Sequence, residues 1–266
     1  MAETRAPTSE RRLFVGTDGH RLAARLDRPH GPVLACAVLV HCFTCGKDLR
    51  VLNLMSRAFT ARGLCVLRFD LPGIGESEGD FAGTNYSSNI ADIVAAAEYL
   101  EGEVGPVRLV VGHSLGGAAA LVAVGILPNV AAVATIGAPF HADHIRGLLQ
   151  PAIDAVERDG SATIAIAGRS FTITKQFLDD LERADPRSTL QDLGRPLLVI
   201  HAVDDRVVPL DNAYQLFNAA RDPKALVSVE GADHLLSDRT DAAFVAEVIA
   251  VWASRYIPPT GGSGDD

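Results

Sequence analysis

Residues 107–118 read Val-Arg-Leu-Val-Val-Gly-His-Ser-Leu-Gly-Gly-Ala, and they restrict the fold more than any other stretch. A β-branched run ends at Gly112 and passes within four residues into an Ala-rich helical segment, 115–126, stopped near Pro128. The G-x-S-x-G pattern between them requires a strand, a very tight turn and a helix in immediate succession. Bulky neighbours would clash in such a turn, hence glycine on both sides of Ser114. The turn presents the Ser114 hydroxyl at a helix N-terminus, where the partial positive charge favours a developing anion. A bare G-x-S-x-G match arises by chance; the strand–turn–helix context gives this one its weight.

The rest of the chain alternates in the same way. Residues 12–16 and 21–27 flank Thr17-Asp18-Gly19-His20 and predict an N-terminal hairpin. Residues 33–40 form an apolar run without alternation, as expected of a strand buried on both faces. Residues 49–62 predict a helix with Leu49, Leu52, Met55 and Phe59 on one face, closed by Gly63. Strands follow at 64–69, 107–111, 131–136, 196–201 and 225–229, with further helices at 89–101, 210–220 and 242–256. Strands alternating with helices predict an α/β fold, a mostly parallel central sheet covered on both faces. Ligands in such sheets bind at the carboxyl ends of the strands.

The rhythm breaks between Phe140 and Leu193. That stretch reads as an inserted lid of about fifty residues, with helical pieces at 148–158 and 175–183 and a β-hairpin at 162–174 turning at Gly168-Arg169. The expected organisation is one domain over residues 1–258, with the lid at about 140–193, and a linker-like tail at 259–266, rich in Pro, Gly and Ser. The 266 residues carry a net charge of −9 and no basic run, which argues against nucleic acid as a partner. No apolar run approaches the ~20 residues that span a bilayer, so no membrane role is expected. The first dozen residues hold no apolar core of a secretory signal. With Cys36, Cys42, Cys45 and Cys65 as the only cysteines, this predicts a cytoplasmic protein with reduced thiols.

A serine hydroxyl is a poor nucleophile until a base takes its proton and a carboxylate orients the base. The strand at 196–201 runs into Ala202-Val203-Asp204-Asp205-Arg206-Val207-Val208-Pro209, so a carboxylate stands just past a strand end. Asp205, four residues after His201 and four before Pro209, is the preferred acid. Its neighbour Asp204 is expected to cap the turn or face solvent. Gly231-Ala232-Asp233-His234 supplies His234, the only histidine after His201. Asp233 lies too close to it in the loop to aim at its ring. The candidate catalytic residues are therefore Ser114, Asp205 and His234. An oxyanion would need two donors: the N–H of Leu115, next to the serine, and that of Phe43 in the turn after residues 33–40.

These residues resemble the α/β-hydrolase family over about 11–256. Asp70-Leu71-Pro72-Gly73-Ile74-Gly75-Glu76-Ser77 is similar to a loop of that family. His41-Cys42-Phe43-Thr44-Cys45-Gly46-Lys47-Asp48, Asp80-Phe81-Ala82, Gly112–Ala119 and Ala167-Gly168-Arg169-Ser170-Phe171-Thr172-Ile173 are similar to one bacterial subgroup, often fused to an OsmC-type peroxide-reductase domain. The resemblance implies the α/β-hydrolase fold, a Ser114–His234–Asp205 triad, and an OsmC-type domain as a fused or associated partner. No OsmC segment follows in this chain, so an excised domain or a stand-alone form is expected. Cys42 stands where the family pattern has Gly, so its side chain must be accommodated beside the oxyanion hole.

The implied activity is hydrolysis of small-molecule carboxylic esters, with short-chain or small aromatic acyl groups, through an acyl-enzyme. The alternatives are a thioesterase or acyltransferase, and a non-enzymatic domain partnering a peroxide reductase. No cofactor or metal is expected. His141-Ala142-Asp143-His144 offers three potential ligands but no matching pair elsewhere, and reads as a polar hinge. Gly73-Ile74-Gly75 is too short for a dinucleotide fingerprint. Cys42 and Cys45 match C-x-x-C but precede the helix instead of opening it. They read first as pocket-floor residues, with a reversible disulfide as the sharper hypothesis. The lid residues Ile145, Leu148, Leu149, Ile153, Phe171 and Phe177 suggest an uncharged or aromatic acyl group.

Overall fold

The computed structural model describes residues 8–166, 168–184 and 186–257; the expected linker-like tail lies outside them. β1 (Thr8–Val15) and β2 (Arg21–Arg28) form the predicted hairpin. They are followed by β3 (Ala35–Val40), α1 (Arg50–Thr60), β4 (Leu64–Phe69), α2 (Tyr86–Glu103), β5 (Val107–His113), α3 (Leu115–Ile126) and β6 (Ala132–Ile136). The inserted segment holds α4 (Arg146–Asp159), β7 (Ser161–Ile166), β8 (Arg169–Thr174), α5 (Lys175–Arg183) and α6 (Pro186–Gln191). The core resumes with β9 (Leu197–Ala202), α7 (Asp211–Ala219), β10 (Lys224–Val229) and α8 (Arg239–Ser254).

The eight core strands form one sheet in the order β1-β2-β4-β3-β5-β6-β9-β10. β2 pairs antiparallel with β1 and with β4, and all other neighbours are parallel. β3 shows why the sheet needs two covers. Cys36, Val38 and Val40 face the core built with α2 and α3, whereas Ala35, Ala37 and Leu39 face the one built with α1 and α8. A strand buried on both faces has no polar side to show, which is the unalternating run seen in the sequence. It starts two residues later than expected because Val33 is exposed.

Helix boundaries depart from expectation where capping replaces hydrophobic periodicity. α2 begins at Tyr86, three residues before the predicted start. The Asn85 side chain accepts the Ser88 N–H at 2.7 Å, and the Ser88 hydroxyl accepts the Asn85 N–H at 3.0 Å. That reciprocal box satisfies helix donors that have no intrahelical partner. The lid has the predicted hairpin, β7 with β8, and a helix, α6, that the sequence reading did not place. Ile145, Leu149, Phe171 and Phe177 are buried in the core and hold the lid down, while Leu148 is exposed. Four rings make the seam: Phe171 meets Phe81 at 4.9 Å, Phe81 meets Phe43 at 5.5 Å, and Phe43 meets Phe177 at 5.3 Å.

A buried ion network lies behind the turn that follows β3. Lys47 Nζ donates to Asp70 at 2.6 Å and to Glu76 at 2.8 Å, and Asp70 also accepts the Lys47 and Glu76 N–H groups. Burial alone would lower the Lys47 amine, but these carboxylates hold it above its usual value. The Lys47 and Asp70 side chains are 3% and 2% exposed. Asp70→Asn would remove the buried partner of the Lys47 ammonium and leave it only the half-exposed Glu76 at 2.8 Å and Asp48 at 3.7 Å, so the cost approaches but stays below the ~3–5 kcal/mol of a fully broken buried pair. The expected result is a markedly lower urea midpoint; an unchanged midpoint would contradict this role for the pair.

Candidate active site

Ser114 closes β5 and caps α3 with φ 55° and ψ −128°, a conformation that non-glycine residues adopt only under constraint. The constraint is packing. A Cβ on Gly116 would be driven into the His41 carbonyl oxygen, so α3 can press against the turn after β3 only with glycine there. The Ser114 N–H is fixed by the Ile136 carbonyl of β6 at 2.8 Å. The serine therefore stands at the carboxyl edge of the sheet, 8% exposed.

Asp205 and His234 arrive from the loops after β9 and β10. His234 Nε2 lies 3.0 Å from Ser114 Oγ, and His234 Nδ1 lies 2.7 Å from Asp205 Oδ2. An ionised carboxylate only accepts, so Nδ1 carries the proton and Nε2 offers its lone pair to the serine hydroxyl. Asp205 Oδ1 accepts the N–H groups of Val207 and Val208, both at 2.8 Å. Burial by itself would raise the Asp205 carboxyl. The hydrogen bonds from His234, Val208 and Val207 and the histidine charge outweigh it and hold the carboxyl below its usual value. Of the adjacent pair, Asp205 is buried and Asp204 exposed. Asp233 turns away and accepts the Ser237 N–H at 2.8 Å.

The two expected oxyanion donors lie on turns that touch. Leu115 opens α3, where N–H groups lack intrahelical partners. Phe43 N–H, in the turn against which Gly116 packs, donates to no described backbone acceptor. The Cys42 carbonyl of the same peptide accepts His41 Nδ1–H at 2.7 Å, while His41 Nε2 accepts the Leu71 N–H at 3.2 Å. N–H and C=O of a trans peptide point in opposite directions. Holding the Cys42 carbonyl therefore fixes the aim of the Phe43 N–H.

The structure corrects one expectation here. Cys42 and Cys45 are joined by a disulfide, because the turn brings their Cα atoms to 5.3 Å, inside the usual bonding range. The bond also accommodates the Cys42 side chain. Free thiols remain at Cys36 and Cys65, as expected. His141 and His144 belong to no metal cluster among the described residues. His144 Nε2–H donates to the Val207 carbonyl at 2.9 Å and ties the root of the lid to the acid loop.

Two further residues support this arrangement, and the first of them, Gly137, was not assigned a place from the sequence. Gly137, directly after β6, has φ 54°, and a Cβ there would lie 3.3 Å from the His234 ring and 3.4 Å from Asp205 Oδ2. Its position past a strand end was the available signal. His113 Nε2–H donates to the His234 carbonyl at 2.7 Å, and the two rings stand 5.0 Å apart. Burial pushes the His113 imidazole down to about 3 from 6.5. Between those values the unfolded chain binds a proton that the native state refuses, so stability rises with pH there. His41 and His201, also lowered first of all by burial, act in the same direction. Thermal stability is thus expected to fall as pH drops from about 6.5 toward 3, by up to ~1.4 kcal/mol per pH unit for each such proton. His113→Gln keeps a donor for the His234 carbonyl and should flatten the profile by one proton. Identical slopes in variant and wild type would contradict the assignment.

A separate cavity of about 210 Å³ between α2, α3 and the lid is lined by Tyr86, Ile90, Leu121, Phe140 and Thr189 among others, and by none of Ser114, Asp205 and His234. Among the described residues, no helix is long and apolar enough to cross a membrane.

Comparison with known proteins agrees with this architecture. The chain is 31% identical over 179 residues to the uncharacterized protein YfhR of Salmonella typhi, and 25% identical over 234 residues to YfhR of Escherichia coli O157:H7. Those matches cover 65% and 85% of this chain, and 56% and 74% of the relatives; the chain thus spans a little over half of the Salmonella protein. The esterase domain of a Rhodothermus marinus protein superposes with a TM-score of 0.79 at 45% identity, covering 94% of this chain and all of that one. Est1E of Butyrivibrio proteoclasticus, solved with ferulic acid, shares the fold at 19% identity and a TM-score of 0.76, over 92% of this chain and 99% of that one. The model of the alpha/beta hydrolase family matches residues 37–248, and the chain belongs to that family.

Proposed function

We propose that the protein is a serine esterase that cleaves carboxylic esters of short-chain or small aromatic acids through an acyl-enzyme. The observation that carries this reading is the continuous relay from Ser114 Oγ through His234 to the buried Asp205 carboxylate. Ser114 attacks the ester carbonyl while His234 Nε2 takes its proton. The resulting imidazolium lies against Asp205 and returns the proton to the leaving alcohol. The Leu115 and Phe43 N–H groups stabilise the oxyanion, and water repeats the sequence on the acyl-enzyme. The name of the Rhodothermus marinus domain, an esterase domain at 45% identity, supports the same reaction.

The small acyl group follows from the aromatic seam. Phe43, Phe81, Phe171 and Phe177 are each 8% exposed or less, so the space beside the oxyanion turn is largely filled by packed rings. A panel of p-nitrophenyl esters tests this. kcat/KM is expected to be highest for acetate, butyrate or a benzoate-sized acid and at least about tenfold lower for decanoate, since a mis-sized apolar pocket costs about 1–3 kcal/mol. A maximum at decanoate would contradict the small-acyl reading.

A further inference from the structure

We propose that Cys42–Cys45 is a thiol–disulfide exchange site for a dithiol reductant, and that its state sets how firmly the Phe43 N–H is held in the direction that the His41 hydrogen bond gives it. The second half rests on the esterase reading; the first does not. The disulfide spans the four-residue turn that contains Phe43, and the Cys45 N–H donates to the Cys42 carbonyl at 3.1 Å. That carbonyl belongs to the peptide whose N–H is the candidate oxyanion donor, and it also accepts from His41. Arg169, at the start of β8 in the lid, donates to the Thr44 carbonyl at 3.2 Å. The covalent link is a restraint on this turn that a reducing solute can remove.

Access differs sharply between the two cysteine pairs. Cys42 is 5% exposed and Cys45 partly exposed, so an incoming thiolate meets Cys45 Sγ first. Cys36 and Cys65 sit opposite each other on β3 and β4 and are fully buried. Their mutual hydrogen bond pushes the Cys36 thiol up and the Cys65 thiol down, so burial is what keeps an incoming thiolate from both. In the exchange, one thiolate of the reductant attacks Cys45 Sγ. The Cys42–Cys45 bond breaks, and Cys42 leaves as a thiolate and takes a proton. The reductant's second thiolate then attacks its own sulfur in the mixed disulfide, and Cys45 leaves and is protonated. The reductant ends as a cyclic disulfide, and two electrons and two protons have moved to the protein. With the link open, the turn keeps its hydrogen bonds but loses its closure, and the Phe43 N–H is held less firmly.

Dithiothreitol is the probe. Air-oxidised native protein is equilibrated across ratios of reduced to oxidised dithiothreitol, then alkylated with iodoacetamide for peptide mass spectrometry and assayed with p-nitrophenyl acetate. Cys45 and Cys42 are expected to gain label with reduction, and Cys36 and Cys65 only after unfolding. kcat is expected to fall about tenfold with KM within about twofold, a fraction of the 10²–10³ lost when an oxyanion donor is removed. It should recover on reoxidation at the midpoint of labelling. Cys45→Ser is expected to show the low kcat and no response to dithiothreitol; the wild-type titration stands alone if that variant does not fold. Full labelling of Cys42 and Cys45 in the oxidised protein would overturn the exchange site. A kcat indifferent to a completed thiol titration would overturn its effect on the oxyanion donor. Titrating thiols with no ester turnover in either state would overturn the esterase reading and leave the exchange site standing.

Discussion

Replacing Ser114 by alanine is expected to lower kcat for p-nitrophenyl acetate by about 10⁵–10⁶-fold while the fold and its melting temperature stay close to wild type. The size follows from a covalent mechanism, in which loss of the nucleophile removes the whole acyl-enzyme route and leaves only binding and oxyanion stabilisation. The fold should survive because the bonds that shape the elbow are backbone bonds: Ser114 N–H to Ile136 and Gly117 N–H to Ser114 C=O, both 2.8 Å. Alanine also relaxes nothing at φ 55°, since the strain belongs to the turn and not to the hydroxyl. Turnover within tenfold of wild type would move the chemistry elsewhere.

Asp205→Asn is expected to cost about 10⁴-fold in kcat, whereas Asp204→Asn should stay within about twofold. The geometry gives the reason. The Val207 and Val208 N–H groups both point at Asp205 Oδ1, so an asparagine would keep its carbonyl oxygen there and turn its NH₂ toward His234. Nδ1 would then have to accept, Nε2 would carry the proton, and the ring could no longer take one from Ser114. Asp204 is exposed on the same loop and can be exchanged without touching this relay. The measurement is kcat and kcat/KM for both variants under identical conditions. Equal losses in the two, or a loss only in Asp204→Asn, would reverse the assignment of the acid.

The centre of the sheet was legible because its strands are buried on both faces. Runs such as 64–69 and 107–111 carry no helical period and end in turn residues, which leaves little choice. The hairpin at 162–174 was legible for the same local reason, a turn at Gly168-Arg169 between β-prone segments. Ser114, Asp205 and His234 could be brought together from the Ser–acid–His chain order of the α/β-hydrolases and from their places at strand ends, since a parallel sheet gathers all its carboxyl ends on one edge. Gly137 could not be weighed, because the need for a missing side chain shows only once His234 and Asp205 stand beside it. By spacing alone the Cys42–Cys45 bond is the weaker reading, because C-x-x-C here precedes a helix instead of opening one. What decides it is the tight turn, which the spacing alone does not reveal. The Lys47–Asp70 pair was invisible for a related reason: charged residues in a loop look solvated until the fold closes over them.

Covalent labelling tests the central claim most directly. A fluorophosphonate reacts only with a serine whose proton can be taken by a neighbouring base, which is the property assigned to Ser114 through His234. Incubation of the folded protein with the probe, followed by peptide mass spectrometry, is expected to place one adduct on Ser114. Labelling should disappear in Ser114→Ala and fall sharply in Asp205→Asn. An unlabelled protein, or an adduct on another residue with Ser114 intact, would contradict the account.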